Sequence, residues 1–157
     1  MRKAIKMKKS TYARTAGISY LIIFFAAIFA NFFVLEAILS DPLRTIQESG
    51  ILVRAGIIAF LITVVFDVVV AWALFELFPS HPLSRLSTYF RLMHACIMAV
   101  AVFALVTVFE YTTAEEVLMQ AFLFNTIWLI GLFFFGFHLQ IVTGKLRLQP
   151  LYMHALI

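Results

Sequence analysis

The run Tyr89–Phe109, YFRLMHACIMAVAVFALVTVF, decides how the chain is read. It is long enough to cross hydrocarbon as a helix, which takes about 20 residues. Yet Arg91 and His94 stand in its first turns. An ionised side chain at the centre of a lipid-facing helix costs about 3 kcal/mol on insertion scales. If the run spans a bilayer, both residues must face protein and find partners there.

Composition makes lipid the solvent. Of 157 residues, 64% are hydrophobic and only 13% charged, and 18 are Phe. Mean hydropathy is +1.02. A soluble domain of this size has too little interior to hide so much apolar surface.

Three further segments have the length of a span, so the four are 15–39, 51–78, 86–109 and 117–143. Helices are required, because backbone groups in hydrocarbon must bond within the segment and four strands cannot close a barrel. The expected fold is all-α, a four-transmembrane-helix bundle forming one integral membrane domain over residues 1–157. Breakers mark the joints: Asp41, Pro42 and Gly50 in the first, and Pro79 and Pro82 in the second, where Ser84 is a candidate helix cap. In the third joint, Thr113 followed by Glu116 has the spacing of a capping box.

Net charge is +4, and its distribution sets the sides. Arg2, Lys3, Lys6, Lys8, Lys9 and Arg14 crowd the start, Arg85 lies in the second joint, and Lys145 and Arg147 follow the last span. The first joint is mixed (Asp41, Arg44, Glu48) and the third acidic (Glu110, Glu115, Glu116). Basic segments stay in the cytoplasm, so both termini are expected there, in a cell membrane. The basic head leads straight into a span, which argues against nucleic acid as a partner. The apolar run Gly17–Leu39 has 23 residues, against roughly 7–15 in a signal peptide, so it reads as a retained first span. The single Cys96 cannot form an intramolecular disulfide.

Counting from the cytoplasmic face at about 1.5 Å per residue puts Asp67, Arg91, His94 and His138 in one layer, at depths of roughly 10–16 Å. These four are the candidate ligand-binding residues. Asp67 with Arg91 reads first as an ion pair; the second reading has Arg91 hold an anion or a lipid phosphate instead. His94 and His138 are each either neutral and bonded to a neighbour, or a pair of ligands. As ligands they would take b-haem, or a metal with Asp67 as a third donor. The stripes Arg91, His94, Met98, Ala101 and Gly56, Thr63, Asp67, Ala71 follow helical spacing, as do Gly131 and His138. Small residues on these stripes are what close helix contacts in lipid use. A secondary cluster lies toward the other face: Asn31, Glu36 and Arg54, with Glu36 close enough in depth to pair with Arg54. Trp72 is a candidate interfacial residue.

No GxSxG, HExxH, P-loop or GxGxxG occurs, so enzyme templates fare poorly. Three classes stay open: a binding or transport module for a small anion or lipid headgroup, a haem or metal electron-transfer protein, and a structural or regulatory membrane subunit.

The pieces ARTAGISYLIIFFAAIFANFFV, ILVRAGIIAFLITVVFDVVVAWALFELF, YFRLMHA and WLIGLFFFGFHLQIVTGKL, in that order, resemble the bacterial membrane family called domain of unknown function 4386. The resemblance implies a multi-pass inner-membrane protein and no assigned activity. It places Arg14, Arg54, Asp67, Arg91, His94 and His138 on the family's recurring polar positions. It also implies two further spans after Gly144-Lys145-Leu146, where this sequence has RLQPLYMHALI. A surface left open by two missing spans would favour a homo-oligomer.

Overall fold

A computed structural model describes residues 8–154, with side chains to 144. The basic residues Arg2, Lys3 and Lys6 lie outside the described residues, and so do the side chains of Lys145, Arg147 and His154. All regular structure among the described residues is helical. Four helices are long and apolar enough to cross a membrane: α1 (Lys9–Ser40), α3 (Gly50–Leu77), α4 (Ser84–Glu110) and the Ala114–Gly144 part of α5 (Ala114–His154). A short α2 (Pro42–Glu48) lies in the first joint, with Pro42 in its first turn, where its missing N–H is no loss.

The expected spans all appear, with shifted ends. The first begins at Lys9 rather than residue 15, so the helix runs on through part of the basic head. Ser84 does not cap α4. It is the first helical residue, it is buried, and its hydroxyl has no partner. The capping box at the start of α5 is formed in both directions. The Glu116 N–H donates to Thr113 Oγ1 at 3.3 Å, and the Thr113 N–H donates to Glu116 Oε2 at 3.3 Å.

The spans pack in sequence order, α1 on α3, α3 on α4, α4 on α5. Lys9–Ile28 of α1 does not pack closely along α5, whereas Glu36–Ser40 and α2 rest against it. The arrangement is therefore an arch whose open side lies between the first and last spans. Its apolar core fills the half near α2, where Val34, Ile38, Val53, Phe60, Leu105, Val117 and Phe124 are buried. Large side chains such as Phe25, Phe32, Phe33, Phe103, Phe122 and Phe133 point outward. On a water-soluble monomer such faces would far exceed a normal apolar patch; in a bilayer they meet acyl chains.

One close contact fixes how α1 meets α3. Residues Phe29–Leu35 are wound as a π-helix, a wider turn that often marks a functional region. Asn31 Nδ2 donates to the Ala27 carbonyl at 2.9 Å where the winding changes. Val34, in this wide turn, sits directly on Gly56, so that a Cβ there would lie 2.5 Å from Val34 Cγ1. Only glycine lets the two backbones approach this far. We expect Gly56→Ala to cost about 1–3 kcal/mol by overpacking. Gly136→Ala, with nothing within 4 Å of its Cβ, should not destabilise. Thermal unfolding of both variants in mild detergent checks this, and equal melting temperatures would refute it.

Candidate functional site

The half of the arch away from α2 holds the polar layer. Asp67 (α3), Arg91 and His94 (α4) and His138 (α5) are all buried, Arg91 completely. The Arg91 guanidinium donates from Nη2 to Asp67 Oδ1 and from Nη1 to the Tyr20 hydroxyl, the latter at 3.1 Å. It lies over two rings, 4.9 Å from the centre of Tyr20 and 4.7 Å from that of Phe135. Cation–π contact of this kind gains strength where water is excluded. The second oxygen of Asp67 faces His94 Nε2 at 3.4 Å.

His138 joins the layer through Tyr20 and Ser87. Its Nδ1 is 3.0 Å from both the Ser87 carbonyl and the Ser87 hydroxyl, and its Nε2 is 3.5 Å from the Tyr20 hydroxyl. A carbonyl only accepts, so Nδ1 is the protonated nitrogen and Nε2 accepts from Tyr20. The groups then form one directed chain: Arg91 donates to Tyr20, Tyr20 to His138, and His138 to the backbone of Ser87. With Asp67 accepting from Arg91 as well, all four long helices contribute to the network.

The four residues expected to share a layer are thus brought together. Tyr20 was missed, although it is the hydroxyl that ties α1 to α5. Within ISYLIIFF it looks like one more aromatic residue of a lipid-facing span. Its phenolic O–H was the available signal, since a buried Tyr hydroxyl normally finds a partner. Phe135 was missed as well, because nothing in a Phe-rich span marks which ring will lie under a guanidinium.

The secondary cluster does not form as expected. Arg54 makes no ion pair with Glu36; its guanidinium lies 4.4 Å over the Phe109 ring, and Glu36 is exposed. Asn31 instead lines the same cavity as Asp67. Trp72 meets buried Tyr12 edge-on, with ring centres 5.4 Å apart.

That cavity has a volume of about 180 Å³. Tyr20, Ala27 and Asn31 of α1 and Trp128, Leu132 and Phe135 of α5 form its sides, and Thr63, Asp67, Arg91 and His94 its polar floor. It is room for several waters or a small ligand, below the roughly 300–1,000 Å³ of drug-sized pockets. Thr63 is self-contained, its hydroxyl donating to the Phe60 carbonyl at 2.7 Å. Among the floor residues, Arg91 Nε is buried without a hydrogen bond, and His94 Nδ1 turns to the α5 backbone. The latter abuts the α5 backbone at Gly131, where a Cβ would lie 3.1 Å away.

Haem and metal fit these residues poorly. Phe135 lies beside both imidazoles, its ring centre 5.0 Å from that of His94 and 6.0 Å from that of His138. Both nitrogens of His138 are already engaged, Nδ1 at the Ser87 carbonyl and Nε2 at the Tyr20 hydroxyl, so neither is open to a b-haem iron. Asp67, the third donor of the metal reading, is bonded to Arg91. No group of three or more His, Cys, Asp or Glu among the described residues is placed to hold an ion.

Fold and site together define a multi-pass membrane protein built around a buried, charge-balanced polar layer. Residues 15–146, more than four-fifths of the chain, match the family described as Domain of unknown function (DUF4386), and the protein belongs to that family. No curated protein and no solved structure matches the chain.

Removing one member of the ion pair leaves the other charge buried and unpaired, at a cost of about 3–5 kcal/mol. We expect Asp67→Asn and Arg91→Gln each to lower the melting temperature strongly, and the Asp67→Leu/Arg91→Met pair to cost less than either alone. A thermodynamic cycle in detergent measures this; additive losses would contradict the pairing.

Proposed function

We propose that the protein is a binding or transport module of the bacterial cytoplasmic membrane, taking a small anion or the acidic headgroup of a lipid into the cleft between α1 and α5. The observation that carries this reading is the buried Arg91 Nε, which makes no hydrogen bond and belongs to a residue that lines the cavity. A buried polar group left unsatisfied costs about 1–3 kcal/mol. An oxygen of a ligand beside Arg91 Nε would recover part of that.

Charge limits the form in which such a ligand is held. Asp67 already balances Arg91, so a further anion adds uncompensated negative charge in a low-dielectric site. The ligand therefore comes with a proton, either its own or one taken up by His94, whose imidazole is suited to that exchange. The weak contact between α1 and α5 supports entry from the side, out of the lipid.

A runner-up reading has its own support. The chain from Asp67 to His138 links all four spans, as a purely structural lock would. The test is to fill the cavity without touching that chain. With inorganic phosphate, acetate or glycerol phosphate as probe, near a hundredfold excess over the dissociation constant, the wild type should gain about 2.7 kcal/mol of stability. Ala27→Phe should unfold normally without probe and gain nothing with it. A wild type that responds to none of the three is only a lock.

The same reading puts both termini in the cytoplasm, supported by the basic Lys8, Lys9, Arg14 and Arg85 at one end of the arch and the acidic Glu110, Glu115 and Glu116 at the other. In a Cys96→Ser background, an impermeant maleimide added to intact cells should label Thr112→Cys and leave Ser10→Cys unlabelled. The reverse pattern would invert the topology.

A further inference from the structure

A second site lies at the other end of the arch. Arg54, Ile57 and Ile58 of α3 and Val106, Phe109 and Glu110 of α4 line a cavity of about 450 Å³. Thirteen residues of helix separate Arg54 from Asp67, roughly 20 Å along α3, so this pocket is distinct from the polar layer. Arg54 is in the first turns of its span and Glu110 is the last residue of α4, which puts both where the bilayer meets water.

The charges of this pocket are arranged unusually. Arg54 is held over the Phe109 ring at 4.4 Å, and its N–H groups form no hydrogen bond among the described residues. Glu110 is exposed on the same rim. The two line one cavity, yet no ion pair joins them. Such a pair, spread across a gap, matches a group that carries a phosphate and an ammonium a short linker apart. Below the rim the walls are Ile57, Ile58 and Val106, the last two largely exposed, and they continue into the lipid-facing surface. That is the profile of a site for one phospholipid, headgroup between the charges and acyl chains along the isoleucines.

The surrounding charge selects the headgroup. Six carboxylates occupy this end of the arch (Glu36, Asp41, Glu48, Glu110, Glu115, Glu116) against two arginines, Arg44 and Arg54. Arg44 is bonded to Glu48 at 2.8 Å, which leaves Arg54 as the cation open to a ligand among the described residues. A net negative lipid would be repelled, whereas a zwitterion brings no net charge. An ammonium with N–H groups donates to Glu110; a trimethylated one cannot. We infer that the Arg54–Glu110 pocket binds the headgroup of a zwitterionic amine phospholipid, phosphatidylethanolamine, with phosphate on Arg54 and ammonium on Glu110.

Native mass spectrometry of the purified full chain, equilibrated with phosphatidylethanolamine, phosphatidylcholine or phosphatidylglycerol in mixed micelles, tests this. The wild type should retain phosphatidylethanolamine in preference to the other two. Arg54→Gln and Glu110→Gln should each reduce that retention about fivefold, the scale of one interfacial charge. Both side chains are exposed, so the variants should melt as the wild type does without lipid. Equal retention of the three lipids, a preference for phosphatidylglycerol, or retention unchanged in both variants would overturn the assignment.

Discussion

Everything in the membrane interior of this protein depends on one buried ion pair, Arg91 with Asp67. A guanidinium cannot lose its proton there, so it must be answered by a carboxylate and by acceptors or rings on every other side. The structure supplies the Asp67 carboxylate and the Tyr20 hydroxyl as acceptors, and the Tyr20 and Phe135 rings under its charge. These groups come from three residues, one on each of the other three long helices. Meeting the needs of one side chain thus orders three other helices around α4.

The same pair governs what the layer can do. Because Asp67 is committed to Arg91, it is not free to ligate a metal, and the nitrogens of His138 are committed to Ser87 and Tyr20. The layer is electrically closed while its hydrogen bonding is incomplete.

Much of this could be read from the letters. Four spans follow from length and hydropathy, because lipid enforces helices and makes their length predictable. Asp67, Arg91, His94 and His138 could be set at one depth because helical rise is constant, and ionisable residues in hydrocarbon have few places to go. What could not be read were the partners whose chemistry is unremarkable. Tyr20 and Phe135 are two aromatics among many, and their place depends on how helices rotate about their axes, which a Phe-rich pattern does not reveal. The expected Glu36–Arg54 pair failed for a related reason: equal depth does not imply equal face. Asn31 was put with the outer cluster by depth, yet its neighbours on the face of α1 draw it to the main cavity.

The order of the polar residues along the chain bears on how the protein is made. Asp67 precedes Arg91 by 24 residues, so the carboxylate is already in the membrane when the arginine-bearing helix leaves the insertion machinery. A carboxylate can wait there as a neutral acid; a guanidinium has no neutral form to wait in. The reverse order would strand the costlier group first. Tyr20, by contrast, must wait for His138, 118 residues later, before its hydroxyl has an acceptor. The first span is therefore held to the fourth only after the fourth has entered the membrane, and until then the arch stands open.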